Sequence, residues 1–146
     1  MKKVALLVFN PFVNDSRVLK EAYSLRKQHY DVHIVAHHDK GLKAKESLEG
    51  LKIHRFSYLD RKKTKQLLGK LKAYILYIKQ SVQFGKSFDI LHCNDLNTLP
   101  IGVIVKKFLN KKIKVVYDAH EYETETKYNW KEQEKVLLQV YGELSK

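Results

Sequence analysis

Val4-Ala5-Leu6-Leu7-Val8-Phe9, then Ser16-Arg17-Val18-Leu19-Lys20-Glu21-Ala22-Tyr23-Ser24-Leu25-Arg26-Lys27-Gln28, then Asp31-Val32-His33-Ile34-Val35-Ala36 read as strand, helix and strand in direct succession. The first apolar run is too short for the core of a signal peptide and stops at Asn10-Pro11, so it reads as a buried strand. In the second stretch Val18, Ala22 and Leu25 recur at helical spacing, with Asn14 or Asp15 in place to cap residues 16–28. In the third, Val32, Ile34 and Ala36 alternate with His33 and Val35. Such a unit calls for two parallel strands joined by a right-handed crossover.

The pattern continues outward. Residues 51–56 suggest a short strand. Residues 61–84 carry Leu68, Leu71, Ile75, Ile78 and Val82 at spacings of three and four, which predicts one long helix with that stripe on the sheet and Gly85 as its stop. Residues 89–92 form a brief buried strand, 99–109 a helix opened near Pro100, 114–117 another strand, and 130–144 a final helix. No internal repeat or low-complexity linker interrupts them. The chain of 146 residues, 44% hydrophobic, can bury one substantial core but not two full α/β domains. The expectation is a single α/β domain over 1–146, a Rossmann-like α/β/α three-layer arrangement with a parallel sheet.

Right-handed crossovers gather the loops after each strand on one sheet edge, where open α/β sheets bind ligands. Four polar stretches, 10–17, 37–40, 92–97 and 118–125, are expected to meet there.

Composition narrows the function classes. The lone Cys93 forms no internal disulfide, and no Cys/His spacing suits structural zinc, so a reducing, cytoplasmic compartment is expected. His37-His38 put neighbouring side chains on opposite strand faces, which argues against a metal site. His120-Glu121 is not a His-Glu-x-x-His helix, because residue 124 is Thr124, and no Gly-x-Ser-x-Gly elbow is present, which disfavours hydrolases. No apolar run reaches the roughly 20 residues that span a bilayer. The net charge of +12 favours a polyanionic partner. Lys62, Lys63, Lys65 and Lys70 flank the long helix with Tyr74 and Tyr77. They either keep its outer face solvated or dock it on an anionic membrane surface, and both can hold. Nucleic acid is disfavoured, since the basic residues are mostly lysine and no RNA-binding aromatic motif, zinc finger or homeodomain pattern appears.

Three stretches, Asn14-Asp15-Ser16-Arg17-Val18, Asp89-Ile90-Leu91-His92-Cys93-Asn94-Asp95-Leu96 and Val116-Tyr117-Asp118-Ala119-His120-Glu121, resemble family 4 glycosyltransferases in order and spacing. The resemblance runs to about residue 125. It implies one half of a GT-B fold, namely the N-terminal, acceptor-side domain. The domain that grips the nucleotide-sugar, with its paired-glutamate motif, has no counterpart in the sequence. A last strand after Leu144 is also missing, so a fragment or truncated product is expected. The first loop, Asn10-Pro11-Phe12-Val13, lacks the glycines that let backbone amides approach phosphate in many relatives.

By that resemblance His120 would reach the transferred sugar or its leaving phosphate, with Asp118 and Glu121 binding substrate beside it. Otherwise it satisfies a strand-end carbonyl while Asp118 caps the turn and Glu121 is solvated. His92 and Asp95 would point over the sheet edge toward an acceptor hydroxyl, with Asp95 as base or orienting group, or else as a helix cap. Asn14, Asp15 and Arg17 open the first helix, where a guanidinium can grip a phosphate or carboxylate, or else form a cap and a surface ion pair. The implied function is the acceptor-binding part of a retaining hexosyltransferase, working from a nucleotide-sugar co-substrate onto a cell-envelope glycan or lipid-linked acceptor. No cofactor or metal is implied. The partner is a missing donor domain or a separate donor subunit, and the place is the cytoplasm or the inner face of the plasma membrane. The alternatives are a non-catalytic basic module for an anionic membrane or a protein partner, and a basic nucleotide or nucleic-acid binder.

Overall fold

A computed structural model describes residues 1–59, 67–119 and 129–145. Six strands form one sheet in the order β3-β4-β2-β1-β5-β6. They are β1 (Lys3–Leu7), β2 (Asp31–Asp39), β3 (Lys45–Leu48), β4 (Leu51–Leu59), β5 (Ile90–Cys93) and β6 (Lys114–Tyr117). All neighbouring pairs are parallel except β3 with β4.

The helices are α1 (Ser16–Lys27), α2 (Leu67–Gly85), α3 (Leu99–Ile104, continued by a π turn over Val105–Leu109) and α4 (Trp130–Leu144). Strand alternation splits the core in two. Val4, Leu6, Val8, Val32, Ile34 and Ile90 pack with Val18, Ala22 and Leu25 of α1 and Tyr141 of α4. Ala5, Leu7, Val35, Leu91 and Cys93 pack on the other face with Tyr77 of α2 and Ile101 of α3. The expected three-layer α/β/α domain is what the chain forms. Gly102 lets α3 sit close, since a Cβ there would lie 2.8 Å from Val115 and 3.0 Å from Cys93.

Two features depart from the sequence expectation. A β3–β4 hairpin adds an antiparallel edge, turning through Glu49 and Gly50, whose φ angles of 47° and 83° make a tight two-residue turn. Every residue of β3 is exposed, so no inside–outside alternation announces it.

The second departure is the face of α2. Leu68, Leu71 and Ile75 are exposed rather than packed on the sheet. The buried side is Ala73, Tyr77, Ser81, Val82 and Gly85. Small residues at Ala73, Ser81 and Gly85 let that side approach the strands, and Tyr77 between them fixes it by donating its buried hydroxyl to Val8 O at 2.9 Å. Both sides of the helix are apolar, so spacing alone cannot choose between them.

Candidate functional site

The loop after β1 is built by its own side chains. Asn10 Oδ1 accepts from Phe12 N at 2.7 Å, and Asn10 Nδ2 donates to Asp15 Oδ2 at 2.9 Å. Asp15 Oδ1 then accepts from Val18 N at 3.1 Å, so Asp15 caps α1 and Asn14 is left exposed beside it. Buried Arg55 braces the loop from β4 through the carbonyls of Pro11 at 2.9 Å and Phe12 at 3.3 Å.

This construction puts Arg17 on the sheet edge facing the end of β6. Its Nη1 donates to Asp118 Oδ2 at 2.7 Å and to Glu21 Oε1 at 3.1 Å. Two carboxyl groups, the Asp118 carboxylate and the buried Glu21, therefore hold the guanidinium, which ties the first turn of α1 to the residue that opens Asp118-Ala119. Asp118 is held from the other side as well, its amide donating to Cys93 O at 3.0 Å.

Beneath this pair lies a cavity of about 600 Å³. Arg17, Glu21, His92 and Asp118 form its polar end, and Val116, Val136 and Leu137 are among its apolar walls. His92 sits within β5 rather than beyond it. Its ring is buried under α4, with Nδ1 3.0 Å from the Tyr141 hydroxyl, so it faces the cavity from below and not the rim. Burial drives the Tyr141 phenol well above its ordinary value, which keeps it protonated and able to donate to that ring.

Asp95 lies where the loop after β5 crosses β1. Its Oδ2 accepts from Phe9 N at 2.7 Å, and its main-chain carbonyl accepts from the Thr98 hydroxyl at 2.8 Å. The cap of α3 falls at Thr98, so Asp95 joins two strand ends instead of capping that helix. Phe9, Asp15, Arg17, Asp95 and Asp118 thus share one edge, formed by the ends of β1, β5 and β6. β2 runs on through Asp39, so most of the 37–40 stretch expected as a loop is strand, and it meets the same edge with His37 N donating to Asn10 O at 2.9 Å.

Two residues of this region stood outside the sequence reading. Glu21 is 5% exposed, its Oε2 has no hydrogen-bond partner among the described residues, and burial pushes its carboxyl up to about 8 against the pull of Arg17. The signal was there: Glu21 lies three residues after Val18 and four before Leu25, on the buried face. Asn94, 1% exposed just past the end of β5, has neither amide atom hydrogen-bonded among the described residues. His120 and Glu121, and the basic residues Lys62, Lys63 and Lys65, lie outside the described residues, while Lys70 is exposed on α2. Among the described residues no group of three or more His, Cys, Asp or Glu side chains is arranged to hold a metal ion.

Comparison with known proteins agrees with this fold. The family description Glycosyltransferase Family 4 matches residues 16–144. Among solved structures, sucrose-phosphate synthase from Thermosynechococcus elongatus superposes with a TM-score of 0.58 at 13% identity, over 96% of this chain and 40% of that one. A second structure of that synthase gives 0.52 at 13% identity, over 93% of this chain and 68% of that one. At such identity the likeness shows the fold, and the chain spans less than half the length of the first of these structures. No curated protein matches in sequence. With a six-stranded α/β sheet, the Arg17–Asp118 edge and a family match over nearly the whole chain, this chain belongs to glycosyltransferase family 4 and forms an N-terminal half of the GT-B fold.

Proposed function

We propose that the chain is the acceptor-binding domain of a retaining glycosyltransferase, moving a hexose from a nucleotide-sugar to a cell-envelope glycan or lipid-linked acceptor. The donor is held by a second domain or a separate subunit. In the transfer, the bond from the sugar's anomeric carbon to the diphosphate breaks and a glycosidic bond to the acceptor oxygen forms. The departing phosphate takes the acceptor's proton, so the protein need only orient and stabilise. His120 would donate a hydrogen bond to the sugar or its leaving phosphate. Asp95 would orient the acceptor hydroxyl, with Asn14, Asp15, His92 and Glu121 around the substrate. The reaction would run in the cytoplasm, at the inner face of the plasma membrane where the acceptor is lipid-linked.

The observation that carries this reading is the Arg17–Asp118 pair at 2.7 Å. It holds the start of the Asp118-Ala119-His120-Glu121 segment at the edge where Asp95 also lies. The test joins the chain to a donor domain, or uses the full reading frame, and assays sugar transfer. Loss of turnover in His120→Ala and Asp95→Ala is expected. Full activity in both would sink the site assignment.

A second reading, a non-catalytic module that binds an anionic surface, is favoured by one observation, the exposed apolar and basic face of α2.

A further inference from the structure

Between Arg61 and Lys86 the sequence carries eight Lys or Arg residues and no Asp or Glu. Within the described part of that stretch, α2 turns apolar side chains to solvent at Leu67, Leu68, Leu71 and Ile75, which are 81%, 76%, 52% and 58% exposed. The pattern is confined to the first half of the helix. Farther along, the outward positions are Lys79, Gln80 and Gln83. Lys70 and Lys72 are exposed among the leucines.

The leucine-rich half also has a defined place. Tyr74 donates its hydroxyl to Asn97 O at 2.8 Å, and its ring packs edge-on against Phe9 at 5.2 Å. Phe9 and Asn97 belong to the loops after β1 and β5, so this half of α2 stands beside the edge that holds Asp95. Its opposite side is occupied, with Ala73 and Tyr77 in the core.

We infer that the first half of α2 is a membrane-docking surface that inserts its leucines into the headgroup region of an anionic bilayer. Clustered apolar side chains with basic neighbours and no acid among them suit that interface, where apolar burial and attraction to anionic lipid act together. A neutral protein groove would reward the leucines and leave the lysines unmatched. No helix among the described residues is long and apolar enough to cross a membrane, so the element lies on the surface. Docking there sets the strand-end edge against the lipid headgroups. That this presents a lipid-linked acceptor to Asp95 rests on the transfer reading above. The docking itself does not.

The test is co-sedimentation of the 146-residue chain with phosphatidylcholine vesicles containing about 30% phosphatidylglycerol, against pure phosphatidylcholine, at low and high salt. Binding to the anionic vesicles at least about tenfold stronger is expected, with a part that survives high salt. The double variant Leu71→Gln/Ile75→Gln should lose that salt-resistant part and bind about tenfold more weakly with an unchanged melting temperature. Lys70→Glu/Lys72→Glu/Lys79→Glu should lose the preference for anionic lipid.

The inference is overturned by absence of binding, or by leucine variants that bind like the parent, which would leave charge adsorption alone. It is equally overturned by a parent dimer that these variants turn monomeric without vesicle binding, since a second copy would then cover the face. Vesicle binding by a protein that proves unable to transfer sugar, even with its donor domain, would remove the transfer reading and leave the docking surface standing. Transfer without vesicle binding would do the reverse.

Discussion

Arg17 Nη1 and Asp118 Oδ2, 101 residues apart in sequence, are joined at 2.7 Å across the end of the sheet. The same nitrogen reaches Glu21 Oε1 at 3.1 Å, so one guanidinium serves two carboxyl groups in different environments. Asp118 is partly open to water, whereas the Glu21 side chain is almost wholly enclosed. Losing Arg17 therefore strands a buried acid, while losing Asp118 removes a screened partner.

Arg17→Met should accordingly destabilise the fold more than Asp118→Asn. A double-mutant cycle followed by urea unfolding should give an Arg17–Asp118 coupling of about 1 kcal/mol, near the upper end for exposed pairs because Arg17 is mostly enclosed. Equal single-mutant costs with no coupling would mean that the pair does not anchor the loop.

Glu21 makes stability fall as pH rises. Its carboxyl is pushed up to about 8 in the folded chain against an ordinary 4.5. Above pH 4.5 the unfolded chain releases the proton and the folded chain keeps it. The contribution is therefore full below 4.5 and is lost as pH climbs through 8, at roughly 1.4 kcal/mol per unit at most. Glu21→Gln should remove this slope and leave the variant more stable than the parent at pH 8 in chemical unfolding. A variant with the parent's pH dependence would contradict the assignment.

The parallel strands β1 and β5 were legible because nearly all their residues are buried, which leaves short apolar runs, and β2 and β6 were legible as short β-branched runs between helices. The common edge followed from crossover handedness alone, without knowledge of a single contact. The face of α2 was not legible. Its two apolar sides tie in periodicity, and the choice rests on which side is thin enough, at Ala73, Ser81 and Gly85, to approach the strands. His92 was assigned to the edge because it closes an apolar run. A strand of Ile90–Cys93 instead keeps it beneath α4, a shift of one residue in a boundary.

Gly50 is favoured in the hairpin by its backbone angle, with a smaller contribution from the movable end of Arg26. Its φ is +83°, and a Cβ would lie 2.3 Å from the Arg26 guanidinium, which itself donates to Glu49 O. Gly50→Ala should cost about 1–2 kcal/mol, part of it recovered in the Arg26→Ala background where only the dihedral penalty remains. Thermal unfolding of the four proteins reads both.

Asn94 buries an amide that has no hydrogen-bond partner among the described residues. Asn94→Leu, which keeps the branched outline of the side chain but is larger, should stabilise the domain by about 1 kcal/mol, because the loss of a desolvated donor and acceptor outweighs the extra volume. If the amide serves a ligand at the edge, the same variant should bind or turn over acceptor less well in the enzyme joined to its donor domain. A destabilised variant would show that the amide has a partner in solution.

The acid side of the stability profile belongs to a different part of the molecule. His33 Nδ1 lies 3.1 Å from His54 Nε2 on adjacent strands, with Phe84 and Phe88 packed over them. Burial, then the neighbouring His33, Lys45 and Lys52, lowers His54 from an ordinary 6.5 to about 4. His33 is lowered by burial despite Asp31 beside it. As pH falls below 6.5 the unfolded chain takes up protons that the folded pair refuses, so this contribution is full above 6.5 and is lost toward 4. Glu21 acts in the opposite sense from 4.5 upward, which places maximum stability between about 4.5 and 6.5. His54→Phe should reduce the acid limb, to which the lowered His33 and His37 still contribute, and leave the decline toward pH 8 intact, whereas Glu21→Gln should do the converse. Melting temperatures of the parent and both variants across pH 4–9 separate the two limbs, and a single variant that moved both would refute their independence.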